Sequence, residues 1–196
     1  NRCLSERAIL AFERAYGVTL PEDYRAFIKY VGDGGAGPFA GIASLKKAVV
    51  FADQSLLAQP FPYSHWWNGV QPPNWWESLE AHTLAPTDIH VDEEAYFDDR
   101  HIQGSLRLAH EGCGHCRNLV ISGTERGHMW CDSRVSDQGI MPLPFLACAF
   151  CAEGFSLIPE TGATPRLTFL AWYQRWLAVA LEYIRSASNY VMLFEA

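Results

Sequence analysis

Six cysteines and seven histidines carry most of the nucleophilic and metal-binding capacity of this chain. Four of the cysteines form two C-x-x-C pairs, Cys113-Gly114-His115-Cys116 and Cys148-Ala149-Phe150-Cys151, while Cys3 and Cys131 stand alone. Each pair can supply adjacent corners of a tetrahedron, so Cys113, Cys116, Cys148 and Cys151 are candidate thiolate ligands of one structural zinc. The alternative is four ordinary buried thiols in a reducing compartment. A redox use of the Cys-Gly-His-Cys tetrad would need it at a helix N-terminus, where the thiol pKa is lowered. Arg117 to Ser122 reads as a strand instead. No histidine pair has H-E-x-x-H spacing and no serine sits in G-x-S-x-G. Asp132 and Asp137 around Arg134 can be drawn as acid and base beside a cleft, but at the end of a hairpin such residues more often hold turns. With no complete catalytic constellation, an enzyme built on the Cys/His cluster is the weaker expectation and a binding module the stronger.

Carboxylates form the other concentration of chemistry. Asp88, Asp92, Glu93, Glu94, Asp98 and Asp99 place six acids within the stretch 87–100, against a single Arg100. The run cannot be core; it is either a solvated face or a docking patch for a cationic partner. The whole chain has 22 acidic and 15 basic residues and a net charge of -7, which argues against direct nucleic-acid binding. Just before the acidic run, Trp66, Trp67, Trp75 and Trp76 crowd a proline-broken loop that is either a binding surface or a buried wrap across the fold.

These residues must be positioned by regular elements, and the stretch from Gly104 to Leu143 declares them most plainly. Leu106 and Leu108 alternate with Arg107, Leu119 to Ile121 lead into Ser122 and Gly123, and Met129 to Cys131 follow Gly127. This reads as successive antiparallel strands, with Gly123 to Gly127 as a hairpin turn. Ser5 predicts a helix cap and Gly17 a helix end. A second helix begins near Pro21 and aligns Tyr24, Phe27, Ile28 and Val31 on one face. Leu45 to Leu57 reads as a short helix. Gly32 to Pro38 lacks the Gly-Lys-Ser/Thr ending of a phosphate cradle and reads as a chain reversal. A closing helix from Thr168 to about Ser188 carries a wide apolar stripe through Phe169, Trp172, Tyr173, Trp176, Leu177, Ala180, Leu181 and Ile184, with Trp172, Trp176 and Leu177 expected to anchor it on the sheet. The expectation is one α+β domain over residues 1–196, a central antiparallel sheet with helices packed at one face. No apolar run approaches the roughly 20 residues a membrane span requires, and the opening residues lack a secretory leader, so a soluble cytoplasmic protein is expected.

Three stretches, taken in order, carry a family resemblance. Leu20-Pro21-Glu22-Asp23-Tyr24-Arg25-x-Phe27 precedes the glycine-rich Gly32 to Pro38. Gly123-x-Glu125-Arg126-Gly127-x-x-Trp130-x-Asp132-x-Arg134-x-x-Asp137-x-Gly139-Ile140 follows, and Phe169-x-x-Trp172-Tyr173-x-x-Trp176-Leu177 closes the chain. Together they resemble the SUKH superfamily, Smi/Knr-like proteins that include bacterial immunity proteins and eukaryotic adaptors. The resemblance implies a SUKH-like fold, no catalytic residues, and binding to a cognate protein toxin; a non-toxin adaptor of the same fold is the alternative. It also favours burial of the tryptophan-rich loop across the sheet.

Overall fold

The computed structural model describes residues 1–69, 92–143 and 166–192, with side chains to residue 186. Its centre is a four-stranded antiparallel sheet in simple sequential order, β1 (Ser105–Gly112), β2 (His115–Val120), β3 (Met129–Asp132) and β4 (Ile140–Pro142). The β2–β3 hairpin is the one the glycines marked: the Val120 amide donates to the His128 carbonyl at 3.0 Å and the Gly127 amide to the Val120 carbonyl at 2.8 Å. Register shifts between Arg107 and Ala109, and between His110 and Gly112, bend the outer strand.

Five helices accompany the sheet among the described residues: α1 (Glu6–Tyr16), α2 (Glu22–Tyr30), α3 (Leu45–Ala48), α4 (Glu93–Tyr96) and α5 (Phe169–Met192). The arrangement is α+β. The Ser5 hydroxyl accepts from the Ala8 amide and Gly17 closes α1 in the left-handed region at φ 65°, so both ends of α1 follow from local chemistry. Pro21 occupies the cap position of α2, where a missing N–H costs nothing.

Tyr24, Phe27 and Ile28 are buried as the periodicity requires, but Val31 is 62% exposed because it lies beyond the last turn of α2. The single helix expected over Leu45–Leu57 is instead two short pieces, α3 and a 3-10 turn at Gln54–Ala58. Between them Val49 turns extended, and the Asp53 carboxylate accepts the Ser55 amide to start the second piece.

The closing helix docks through its first turns. Phe169 meets Tyr24 and Phe27 edge-on at 5.0 and 5.1 Å, and Tyr173 meets Phe27 at 4.8 Å. The Asp23 carboxylate accepts the Leu170 amide, and the Met129 amide donates to Leu167 at 2.8 Å, fastening the helix entry to α2 and β3. Trp172 is buried and Trp176 half-buried, whereas Leu177 is 39% exposed and is no anchor. Leu181 and Ile184 are exposed as well.

Candidate functional site

The acidic segment lies against the sheet through its backbone and aromatic residues, not through its acids. Asp92 caps α4, its carboxylate accepting from the Glu94 and Ala95 amides at 3.1 and 3.3 Å. Asp92, Glu93 and Glu94 are all exposed. Tyr96 turns inward, stacks on Trp67 at 5.5 Å and donates its hydroxyl to Asn68 Oδ1 at 3.3 Å. Burial, with Asp137 adding to it, pushes that hydroxyl up to about 12. Asp98 caps the next 3-10 turn, Asp99–Ile102, and is gripped by the Arg100 guanidinium and amide, which hold its carboxyl well below the usual range. Asp98 is thus neutralised locally, and Asp99 is half-buried. Of the described candidates, Glu93 and Glu94 present free acidic surface and Asp92 is exposed while it caps α4; Asp88 lies outside the described residues.

What holds this segment in place is a buried arginine. Arg134 is 4% exposed and grips Asp132 through two hydrogen bonds of 2.9 and 2.8 Å. Its remaining donors reach the carbonyls of Tyr96 at 2.9 Å and Asp98 at 3.2 Å, and its guanidinium lies over the Phe97 ring. The planar fork of arginine allows this, one edge on a carboxylate and the other on two carbonyls. The turn-holding role read for Asp132 is present, since it also accepts the Arg134 amide. The long reach of Arg134 to the acidic segment was not legible, because no spacing in sequence links positions 36 and 38 residues apart.

The described part of the tryptophan-rich loop wraps across the sheet. Trp67 exchanges two backbone hydrogen bonds of 2.8 Å with Ile140, and this close approach requires Gly139, where a Cβ would meet the Trp67 carbonyl at 2.0 Å. Phe61 packs on Trp130, and His101 stacks on Trp67 at 4.1 Å, with Tyr63 stacked on Trp67 at 5.1 Å beside it. The His101 Nε2 contacts the Ala95 carbonyl at 2.9 Å while Nδ1 meets the Tyr63 hydroxyl, so the neutral ring with its proton on Nε2 satisfies both. Burial lowers its pKa accordingly. Trp75 and Trp76 lie outside the described residues.

Cys113 is exposed at the β1–β2 turn in a left-handed conformation, and Cys116 is buried with its thiol against the Gly114 carbonyl. The tetrad occupies a hairpin turn instead of a helix N-terminus, and burial pushes the Cys116 thiol up, opposite to what a redox dithiol needs. Cys131 is also buried, accepting from Arg117 and contacting Ser133. The four-thiolate zinc site requires Cys148 and Cys151, which lie outside the described residues.

A model of the SMI1 / KNR4 family (SUKH-1) matches residues 3–141. The chain belongs to this family. The match contains the sheet, the buried Asp132–Arg134 pair and the acidic segment, and α5 docks onto it from outside the matched range. Membership accords with a role as an immunity protein. No curated protein and no solved structure matched the chain. No helix among the described residues is long and apolar enough to cross a membrane.

Proposed function

We propose that this SUKH protein is an immunity factor that binds a cognate toxin domain in the cytoplasm and blocks it sterically, with the acidic segment forming part of the docking face. The observation that carries the reading is the exposed trio Asp92, Glu93 and Glu94, displayed on α4 while Tyr96 and Arg134 fix the backbone beneath it. A preformed patch loses little freedom on binding. Many toxins in such systems are nucleases, whose clefts are basic because they must attract phosphates; a carboxylate-rich surface complements such a cleft and speeds encounter. Asp88, Asp98 and Asp99 belong to the same proposed face, with Asp98 contributing least because Arg100 already pairs with it. The test is association of the chain with a candidate cognate toxin domain, as a function of salt. Reversing Glu93 and Glu94 together, with the capping Asp92 left in place, should slow association at low salt and flatten its salt dependence; an unchanged rate at low salt would remove the acidic segment from the interface.

A further inference from the structure

In a chain of net charge -7, one cleft of about 350 Å³ has a cationic lining. It opens between the segment 40–47 and the outer strand β1, and its basic side chains are Lys47, Arg107 and His110, with no carboxylate among the described lining residues. The other walls are small and apolar, chiefly Ile42, Ala43 and Leu108.

The walls are built in advance. Gly35 and Ile42 exchange backbone hydrogen bonds of 2.9 and 2.8 Å, closing the loop between them, and the Ala43 amide donates to the Leu108 carbonyl at 2.7 Å. Gly41 sits at φ 90° with the Gly35 carbonyl so near that a Cβ would meet it at 2.4 Å, so the loop has one tight conformation available.

The donors are poorly used within the chain. Lys47 is exposed and makes no ion pair among the described residues. The Gly112 amide donates to His110 Nδ1 at 3.1 Å, which leaves the ring proton on Nε2. Arg107 is ion-paired to Asp132 at 3.8 Å, too far for a hydrogen bond, and its Nε is buried without an acceptor among the described residues. Directly across the ladder from Arg107, outside the cleft lining, Asn118 is 1% exposed and neither its Nδ2 nor its Oδ1 has a partner among the described residues. Buried polar groups are ordinarily satisfied, and Arg107, which lines the cleft with its side chain 32% exposed, is the under-used donor that a polar ligand there would reach.

We propose that this cleft binds a carboxylate carried on a short apolar stem, with the Arg107 guanidinium, the Lys47 ammonium and the His110 imidazole as its donors. Guanidinium and carboxylate match in geometry, and the charge on both partners strengthens each bond. The volume falls at the low end of small-ligand sites and far exceeds a bare ion, which is why the anion needs an organic body. A free organic acid and an acidic residue of a polypeptide share this chemistry. The site uses none of the residues of the acidic segment, so it stands or falls independently of the docking reading.

The experiment is an amide-resolved NMR titration of the full chain with succinate, with a capped Ala-Glu-Ala peptide and with its Ala-Gln-Ala counterpart, each held at constant ionic strength with sodium chloride. Saturable shifts confined to residues 41–47 and 107–110 are expected from the carboxylates and not from the glutamine peptide. Combined Lys47→Gln and His110→Gln, both at exposed positions, should weaken binding about three- to tenfold while leaving the rest of the spectrum in place. Saturation by succinate alone would identify free acids as the ligand, and tighter binding of the glutamate peptide would identify a polypeptide. Shifts that follow ionic strength only, or equal binding by the doubly substituted chain, would overturn the proposal.

Discussion

Asp132 and the trio Asp92, Glu93 and Glu94 carry the same functional group within one continuous piece of architecture, yet burial gives them opposite work. Asp132 is buried, fixed by Arg134, and its charge is spent inside the fold. The trio stands in water at the start of α4, where the carboxylates of Glu93 and Glu94 are nearly free to face a partner and Asp92 also caps the helix. Arg134 joins the two, since the same guanidinium that neutralises Asp132 holds the backbone under the trio. The contrast teaches that the charge count of this family member says little until each acid is assigned a partner.

The strongest way to break the comparison is to remove the arginine. Arg134→Ala leaves buried Asp132 without its hydrogen-bonded counter-charge, with only Arg107 3.8 Å away, and frees two carbonyls, and should cost about 3–5 kcal/mol in chemical denaturation. Because Tyr96 and Asp98 lose their tether, amide exchange should rise in 93–98 before it rises in the strands. A loss below about 1 kcal/mol would mean that solvent compensates the pair and that the segment is held by its aromatic contacts instead. A smaller effect is expected from Asp92→Ala, which removes the cap of a single-turn helix; about 1 kcal/mol is the usual cost. That substitution should loosen α4 while leaving the sheet unaffected, separating the segment's local order from its anchorage.

Elements that were legible in the sequence were the locally coded ones. Ser5, Gly17 and Pro21 delimit α1 and α2 by capping chemistry that acts over three or four residues, and Gly123 to Gly127 turn the β2–β3 hairpin for the same reason. The exposed character of Asp92, Glu93 and Glu94 was legible because carboxylates have strong reasons to stay in water. What was not legible depends on distant partners. The stripe on α5 shows which residues can be buried, but only contact with α2 decides that Phe169 and Trp172 are covered and Leu181 is not. The break after Ala48 lies in a run that includes two adjacent β-branched valines, a signal too weak to end a helix without the packing around it. The inward turn of Arg134 and the unsatisfied amide of Asn118 have no sequence signature at all.

The aromatic layer between the two regions offers a subtler probe. His101 packs against Trp67 and Tyr63 with its pKa lowered by burial, and His115, near Arg117, is lowered for the same first reason. A histidine whose folded pKa is depressed binds fewer protons folded than unfolded. Its stabilising contribution is therefore present above the unfolded value near 6.5 and is lost as pH falls through the lower folded value. Stability should decline between pH 7 and pH 5, and His101→Gln should flatten part of that decline, leaving the share of His115. A profile that rises on acidification would mean that His101 gains a carboxylate partner on protonation, and the layer would then belong with the acidic surface.

The smallest effect on the fold is expected where the proposed effect on function is largest. Glu93→Lys with Glu94→Lys reverses two exposed charges in the first turn of α4. Neither has a hydrogen-bond or ion-pair partner in its side chain among the described residues, and substitutions at such positions usually change stability by no more than about 0.5 kcal/mol. Lysine in the first turn opposes the helix dipole, which sets the sign as slightly destabilising. Asp92 remains in place to cap the turn, so the backbone held by Arg134 is expected to stay where it is. Urea unfolding of this variant, measured beside its association with the toxin domain, separates two explanations that association alone would merge. A near-normal midpoint with slowed association at low salt assigns the loss to the missing charges. A midpoint lowered as far as that of Arg134→Ala would show that Glu93 and Glu94 are structural after all, and the contrast between buried and exposed acids would no longer divide this molecule into a scaffold and a docking face.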